Sequence, residues 1–277
     1  MNIGLVTPLH NEIDSIDQLF ASIESQDLVI EHWVIVENGS NDGSKIALSE
    51  KLKPKNVVHL HILNEDRFGG KHELGFKYAS IIRFGFDYLL HKSSNNLDFI
   101  GILDADCFPE SDYYSVLTNF LTNNPEVGIT SGRIYLNDGK MDIANPNWVR
   151  GGCRLWRFNC FSAAGYVIGP SADAISSARA AILGWSSVVS PNAKVYSREV
   201  GVKVNYEYYG FASYYRGCSL FYGFIKCLYL FPKKPSNALG FAKGFFGSFI
   251  KNKERIQDEN VFHYFNNQLF RKFVNKK

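Results

Sequence analysis

The chain lacks a Cys-x-x-Cys pair, a matched Cys/His spacing and any apolar run long enough to span a bilayer. Its cysteines, Cys107, Cys153, Cys160, Cys218 and Cys227, are scattered, which excludes a zinc motif and a disulfide framework and fits a reducing cytosol. A spanning helix needs about 18–20 consecutive apolar residues. The longest candidate, 218–231, is shorter and carries Lys226. The stretch Met1–Pro8 has no basic region followed by an apolar one, so it reads as a first strand and not as a secretion signal. A Gly-rich phosphate loop with Arg or Lys is missing after that strand, where Pro8 and Glu12 stand instead, and no nucleic-acid motif is present. The expectation is a cytoplasmic protein, with peripheral contact to the inner face of the cell membrane as an open alternative.

What is present is an ordinary globular composition, 277 residues with 45% hydrophobic content, enough for one large α/β domain with an appendage. Charge is distributed unevenly. Residues 1–200 carry 17 Lys+Arg against 23 Asp+Glu, net −6, whereas residues 201–277 carry 13 against 4, net +9. The acidic part would repel a phosphate backbone, which argues against nucleic acid as a partner. Aromatic residues crowd the basic part, as in Tyr206-Glu207-Tyr208-Tyr209 and Gly244-Phe245-Phe246.

Apolar runs alternate with helical spacing. Residues 2–7 read as a strand, and Ile13, Ile16, Phe20 and Ile23 then recur on one helical face. Trp33–Val36, Val57–Leu63 and Phe99–Leu103 supply three further strands, with helices opening near Ser44 and over about 70–90. Such alternation predicts parallel strands with crossover helices. Ligands bind beyond the carboxyl ends of such strands. Polar clusters stand there: Thr7 to Glu12, Glu37 to Ser40, Asp66 to Lys71, and Asp104-Ala105-Asp106.

Asp104 and Asp106 sit where an apolar run stops, and in an extended chain residues i and i+2 point the same way. Two carboxylates aimed at one spot suit a hard divalent cation, which takes its remaining ligands from water and substrate phosphates. Local turn chemistry also favours Asp at such positions.

Taken together, Thr7-Pro8 with Asn11-Glu12, Val36-Glu37-Asn38-Gly39-Ser40-Asn41-Asp42, and Leu103-Asp104-Ala105-Asp106 resemble the motifs of the family 2 inverting glycosyltransferases of GT-A fold, in the family's order over residues 1–200. Gly128–Arg133 is similar to the strand that follows them. The resemblance implies a Rossmann-like, mostly parallel sheet flanked by helices over 1–200, with a helical, aromatic-rich C-terminal extension over 201–277. It implies sugar transfer from a nucleotide-diphospho-sugar to a glycan or lipid-linked acceptor, with Mg²⁺ or Mn²⁺ as cofactor. On that pattern Thr7, Glu12 and Glu37 would line the base and ribose pocket with Asn38 beside it, and Pro8 and Asn11 would belong to the substrate-binding residues. Lys71 would stand near the diphosphate, Asp104 at the ribose or metal, and Asp106 at the metal. A degenerate, non-catalytic relative or a sugar nucleotidyltransferase are the alternatives.

Inverting transfer also needs a base for the acceptor hydroxyl. Asp173, the only carboxylate between Asp142 and Glu199, is the candidate, although Asp before Ala174–Arg179 also suits a helix start. Two features depart from the family pattern. Ala172 stands where relatives often carry an acidic or Trp residue, and Ala193–Arg198 has no His, leaving Ser197 or Tyr196 in its place. Arg150, Arg154 and Arg157 add cations that could meet the diphosphate or a phosphorylated acceptor, and Trp148 and Trp185 could stack on sugars or belong to the core. In the C-terminal part, 218–231 and 237–250 read as aromatic helices. They suit an anionic membrane surface, or packing against the catalytic domain or a second subunit.

Overall fold

The computed structural model describes residues 1–66, 75–136, 139–141, 148–197 and 205–274. Its first part alternates as expected: β1 (Ile3–Leu9), α1 (Ile16–Glu24), β2 (Ile30–Glu37), α2 (Ser44–Ser49), β3 (Val57–Asn64), α3 (Phe76–Ser93) and β4 (Phe99–Ile102). There follow β5 (Cys107–Pro109), α4 (Tyr113–Asn123), β6 (Val127–Leu136), β7 (Arg154–Arg157), α5 (Phe158–Ala164), α6 (Ala172–Ile182) and β8 (Ser186–Ser197).

β1 and β2 are buried at nearly every position because both faces of the sheet are covered. Ile3, Leu5 and Leu9 of β1 enter one core with Ile16, Leu19 and Ile23 of α1. Val6 points the other way, to Ala79, Ile82, Phe86 and Leu89 of α3. This is the two-residue period of a strand. α3 lies close on β1 because Gly85 has no side chain, and a Cβ there would come within 2.5 Å of Val6 Cγ1.

All eight strands join one sheet, in the order β3-β2-β1-β4-β7-β6-β8-β5. The pairs β2–β3, β1–β2, β1–β4 and β6–β8 are parallel. The pairs β4–β7, β6–β7 and β5–β8 are antiparallel. From β1 the chain runs outward to β2 and β3 and then returns to β4 on the other side. The order therefore reverses between β1 and β4, where a crevice opens beyond their carboxyl ends.

Two local expectations are corrected. The first helix begins at Ile16, with Ser15 as its cap residue, and Ile13 precedes it half-exposed in a turn. α3 is described from Phe76, behind Gly75; the opening of the expected 70–90 stretch and the expected cluster's Arg67 to Lys71 lie outside the described residues. Asp104 and Asp106 do not extend a strand. β4 stops at Ile102, and a turn follows in which the Cys107 N–H donates to the Asp104 carbonyl at 3.0 Å.

The C-terminal region folds as α7 (Tyr206–Tyr215), α8 (Leu220–Leu230), α9 (Pro235–Ile250), α10 (Glu259–Asn266) and α11 (Gln268–Val274). The side chains of Asn205, Ser219 and Asp258 cap α7, α8 and α10 by accepting from the N–H three residues on. Gly210 and Gly244 let α7 and α9 touch backbone to backbone, since a Cβ at either would overlap a carbonyl of the opposite helix. A third core joins these helices to the large domain: Tyr214, Phe241, Phe245, Val261 and Phe265 pack with Ala174, Ile175 and Ala178 of α6.

Candidate active site

The crevice at the β1/β4 reversal has a volume of about 550 Å³. Of the residues singled out in the sequence, it is lined by Pro8 near the end of β1 and Glu12 after it, Asn38 after β2, Asp104 and Asp106 after β4, Arg150, and Asp173 in the first turn of α6.

Asp104 is fixed from three sides. Its N–H donates to the Gly152 carbonyl at 2.7 Å, and Tyr78 in the first turn of α3 donates its hydroxyl to Oδ1 at 2.6 Å. Position 152 tolerates only glycine in this arrangement, because a Cβ would overlap Asp104 Oδ2. Burial, and then the charge of Asp106, push the Asp104 carboxyl up to about 7, against the Tyr78 hydrogen bond, which favours its ionised form. Two carboxylates that repel one another in a crevice offer the hard oxygen donors that Mg²⁺ or Mn²⁺ prefers, so the residues present fit such an ion. Ser197, at the end of β8 and paired in register with Cys107, lines the same crevice, whereas the Tyr196 hydroxyl donates instead to Glu110 at 3.0 Å.

At the end of β2, Glu37 is fully buried, and its Oε1 accepts from the Ser40 N–H at 2.6 Å. Glu37 Oε2 and Asn38 Oδ1 are buried with no hydrogen-bond partner among the described residues. Buried acceptors are ordinarily satisfied, so an unmatched pair beside a crevice marks a place for a donor-bearing ligand. Thr7 is turned inward and its hydroxyl accepts from the Trp33 indole at 2.9 Å. Asn11, with φ of 54°, ties its loop to the next by accepting from the Asn41 N–H.

Arg154 is 1% exposed and acts beneath the crevice floor. Its guanidinium donates to the carbonyls of Val149, Arg150 and Asp173, each at 3.0 Å, and stands 3.7 Å from Asp173 Oδ2. It thereby ties the 149–154 segment to the start of α6. Arg157, expected at the crevice, instead donates to the Leu121, Asn124 and Val127 carbonyls at the end of α4. Trp148 lines the crevice and Trp185 packs against the α3-side core. Lys71 lies outside the described residues.

His10, within the cluster expected after β1, lines the crevice too, and several lining residues were missed in the sequence: Lys77, Tyr78, Tyr208, Tyr209 and Arg216. Tyr208, Tyr209 and Arg216 come from α7 and the residue that follows it, so the basic C-terminal part supplies a wall of the crevice. Its dense tyrosines and cations were visible, but not their destination.

A separate cluster, Glu31, His32 and His59, brings ligand atoms within 4.8 Å of one another. It stands at the opening of β2, five residues before Glu37, or about 16 Å along the strand. It is thus not part of the Asp104–Asp106 site.

The fold has solved counterparts. TarS of S. aureus aligns with a TM-score of 0.57 at 11% identity, over 91% of this chain and 44% of that one. TarS 1–349 in complex with UDP-GlcNAc aligns with a TM-score of 0.56 at 11% identity, over 95% of this chain and 78% of that one. The mannosyltransferase PcManGT from Pyrobaculum calidifontis, in complex with GDP-Man and Mn²⁺, aligns with a TM-score of 0.53 at 15% identity, over 96% and 69% respectively. This chain spans less than half the length of the full TarS chain. These likenesses establish the GT-A fold. No curated protein matches the chain. The family model described as glycosyl transferase family 2 matches residues 5–182, and the chain belongs to that family.

Proposed function

We propose that the protein is a metal-dependent, inverting glycosyltransferase that moves a sugar from a nucleotide-diphospho-sugar to a glycan or lipid-linked acceptor in glycan or polysaccharide assembly. The observation that carries this reading is the meeting of Asp104, Asp106 and Asp173, from separate segments, in one crevice at the β1/β4 reversal. The unmatched acceptors of Glu37 and Asn38 stand where a base N–H or a ribose hydroxyl would satisfy them. Solved relatives in complex with UDP-GlcNAc and with GDP-Man and Mn²⁺ support a donor of that class and a divalent ion.

Asp106 and Asp104 would hold Mg²⁺ or Mn²⁺, with Ser197 in the place that relatives give to His. When bound, the ion supplies Lewis-acid stabilisation of the departing diphosphate. Arg150, Lys77 and Arg216 line the same crevice and bring cationic side chains to the phosphates. Lys71 lies outside the described residues, and its proposed part near the diphosphate rests on the resemblance in sequence alone. Pro8 and Glu12 line the nucleoside end, Asn11 ties its loop to the Asn41 backbone, and Thr7 braces the strand beneath through the Trp33 indole.

Asp173 takes the proton from the acceptor hydroxyl as its oxygen attacks the anomeric carbon and the carbon–diphosphate bond breaks, inverting the configuration. Arg154 positions it by holding its carbonyl and standing beside its carboxylate. Residues 1–200 form the catalytic part in this account, and 201–277 add the acceptor-side wall through Tyr208 and Tyr209.

The test is product formation from a panel of nucleotide-sugars with glycan and lipid-linked acceptors, scored for anomeric configuration. Asp173→Asn lowers turnover by roughly a hundredfold or more with donor affinity retained. Turnover unaffected by Asp173→Asn, or a product of retained configuration, contradicts the assignment.

A further inference from the structure

α8 presents an apolar face to solvent. Its inner side is accounted for: Leu230 is buried, and Gly223 lies so close to Phe245 of α9 that a Cβ would overlap the ring. On the outer side Phe221, Phe224, Ile225 and Leu228 recur at i, i+3, i+4 and i+7, and they are 66%, 57%, 37% and 59% exposed. Tyr229 and Phe231 carry the surface onward at 54% and 58%. A water-facing helix normally carries charge in this pattern. Scattered exposed apolar residues need no explanation, but a continuous stripe of large ones marks a contact surface.

Charge identifies what it contacts. Between Glu207 and Glu254 the chain has no acidic residue and seven Lys or Arg. Lys233 and Lys234 follow α8 directly and are exposed, and Lys233 stands 4.1 Å over the Tyr229 ring at the edge of the apolar stripe. A second copy of this chain would bring the same positive charge into the contact. Anionic lipid headgroups would neutralise it. No described helix is long and apolar enough to cross a membrane, so the stripe suits a helix lying in the interface plane.

We propose that α8 docks flat on an anionic bilayer, its Phe and Leu side chains entering the headgroup–acyl boundary and Lys233 and Lys234 meeting lipid phosphates. An interfacial helix buries its apolar face to a depth of about 5–10 Å, within reach of side chains of this size. Binding of this kind holds whether or not the crevice transfers a sugar. Where it does, α8 packs on α9 and α9 on α7, whose Tyr208 and Tyr209 line the crevice, so docking brings the reaction to a surface that holds lipid-linked acceptors.

Co-sedimentation of the full chain with vesicles tests this, comparing phosphatidylcholine alone with equal parts phosphatidylcholine and phosphatidylglycerol. The expected result is sedimentation with the anionic vesicles at about 50 mM salt, weakening as salt shortens the Debye length. Phe224→Ser with Leu228→Ser removes two apolar anchors and lowers partitioning tenfold or more, by an order-of-magnitude estimate. Lys233→Gln with Lys234→Gln lowers it about thirtyfold on anionic vesicles alone. Melting temperatures and size-exclusion profiles of both double variants establish that they fold. Failure of the wild-type chain to sediment with anionic vesicles overturns the proposal, as does unchanged sedimentation of both folded variants. A concentration-dependent dimer that Phe224→Ser with Leu228→Ser dissolves, without vesicle binding, overturns it in favour of a second copy as the occupant.

Discussion

Tyr78 donates its hydroxyl to Asp104 Oδ1 at 2.6 Å, joining the first turn of α3 to the turn that follows β4. This bond opposes the burial and the Asp106 charge that make Asp104 hard to ionise. Tyr78→Phe removes a hydrogen bond to a charged acceptor, an interaction of about 1.5–3 kcal/mol. Metal-dependent nucleotide affinity is expected to fall about tenfold in calorimetry, with the circular dichroism spectrum unchanged. Equal affinity in the variant would show that Asp104 does not depend on this contact.

Arg154, 1% exposed, spends its guanidinium on the carbonyls of Val149, Arg150 and Asp173. Arg154→Met is therefore expected to lower stability by about 3 kcal/mol, read as a lower denaturation midpoint, and Arg154→Lys by less than Met but still measurably. Turnover should fall further than donor affinity, because the segment under Asp173 loosens while the β2 end of the crevice is untouched. A variant as stable as the wild type would contradict the role given to this side chain.

The histidines of β2 and β3 set an acid limit on stability. His32 stacks on His59 at 4.8 Å between ring centres and on His61 at 5.7 Å. Burial, and then the charges of neighbouring histidines, lower His32 and His61; Lys92 adds to the effect at His61, while Glu31 opposes it at His32. Tyr88 of α3 packs edge-on against His61. A histidine whose folded pKa is lowered binds fewer protons folded than unfolded. Its contribution is complete above the unfolded value of about 6.5 and is lost as pH falls below it. The urea midpoint should fall between about pH 7 and pH 5 in the wild type, and His61→Gln should flatten that dependence. An equally steep dependence in the variant would assign the acid sensitivity elsewhere.

Much of this molecule was legible in the sequence, for physical reasons that differ from part to part. Strands buried on both faces leave apolar runs, and residues 2–7 and Trp33–Val36 read directly as the body of β1 and of β2. The termination of such a run in acidic residues exposed Asp104 and Asp106, and the turn that presents them is the local chemistry weighed beside the strand-end reading. Asp173 emerged from the scarcity of carboxylates around it. Tyr78, Tyr208 and Arg216 did not emerge, because they reach the crevice through packing of α3 and α7, and nothing local distinguishes a lining tyrosine from a core one. Arg154 was read as a free cation because its partners are backbone carbonyls, which carry no residue code. The exposed stripe of α8 has the same periodicity as a buried one, and only the fold shows which side faces water.

Asp104 and Asp106 are proposed to make a divalent-cation site for a nucleotide-sugar. Calorimetric titration of UDP-, GDP- and dTDP-sugars in the presence of Mn²⁺ or Mg²⁺, repeated with chelator and with Asp106→Ala, tests it most directly. The expected result is saturable binding of one nucleotide class that is lost with chelator and lost again in Asp106→Ala, while the variant melts as the wild type does. Binding that survives both, or no binding of any donor with either metal, would contradict it.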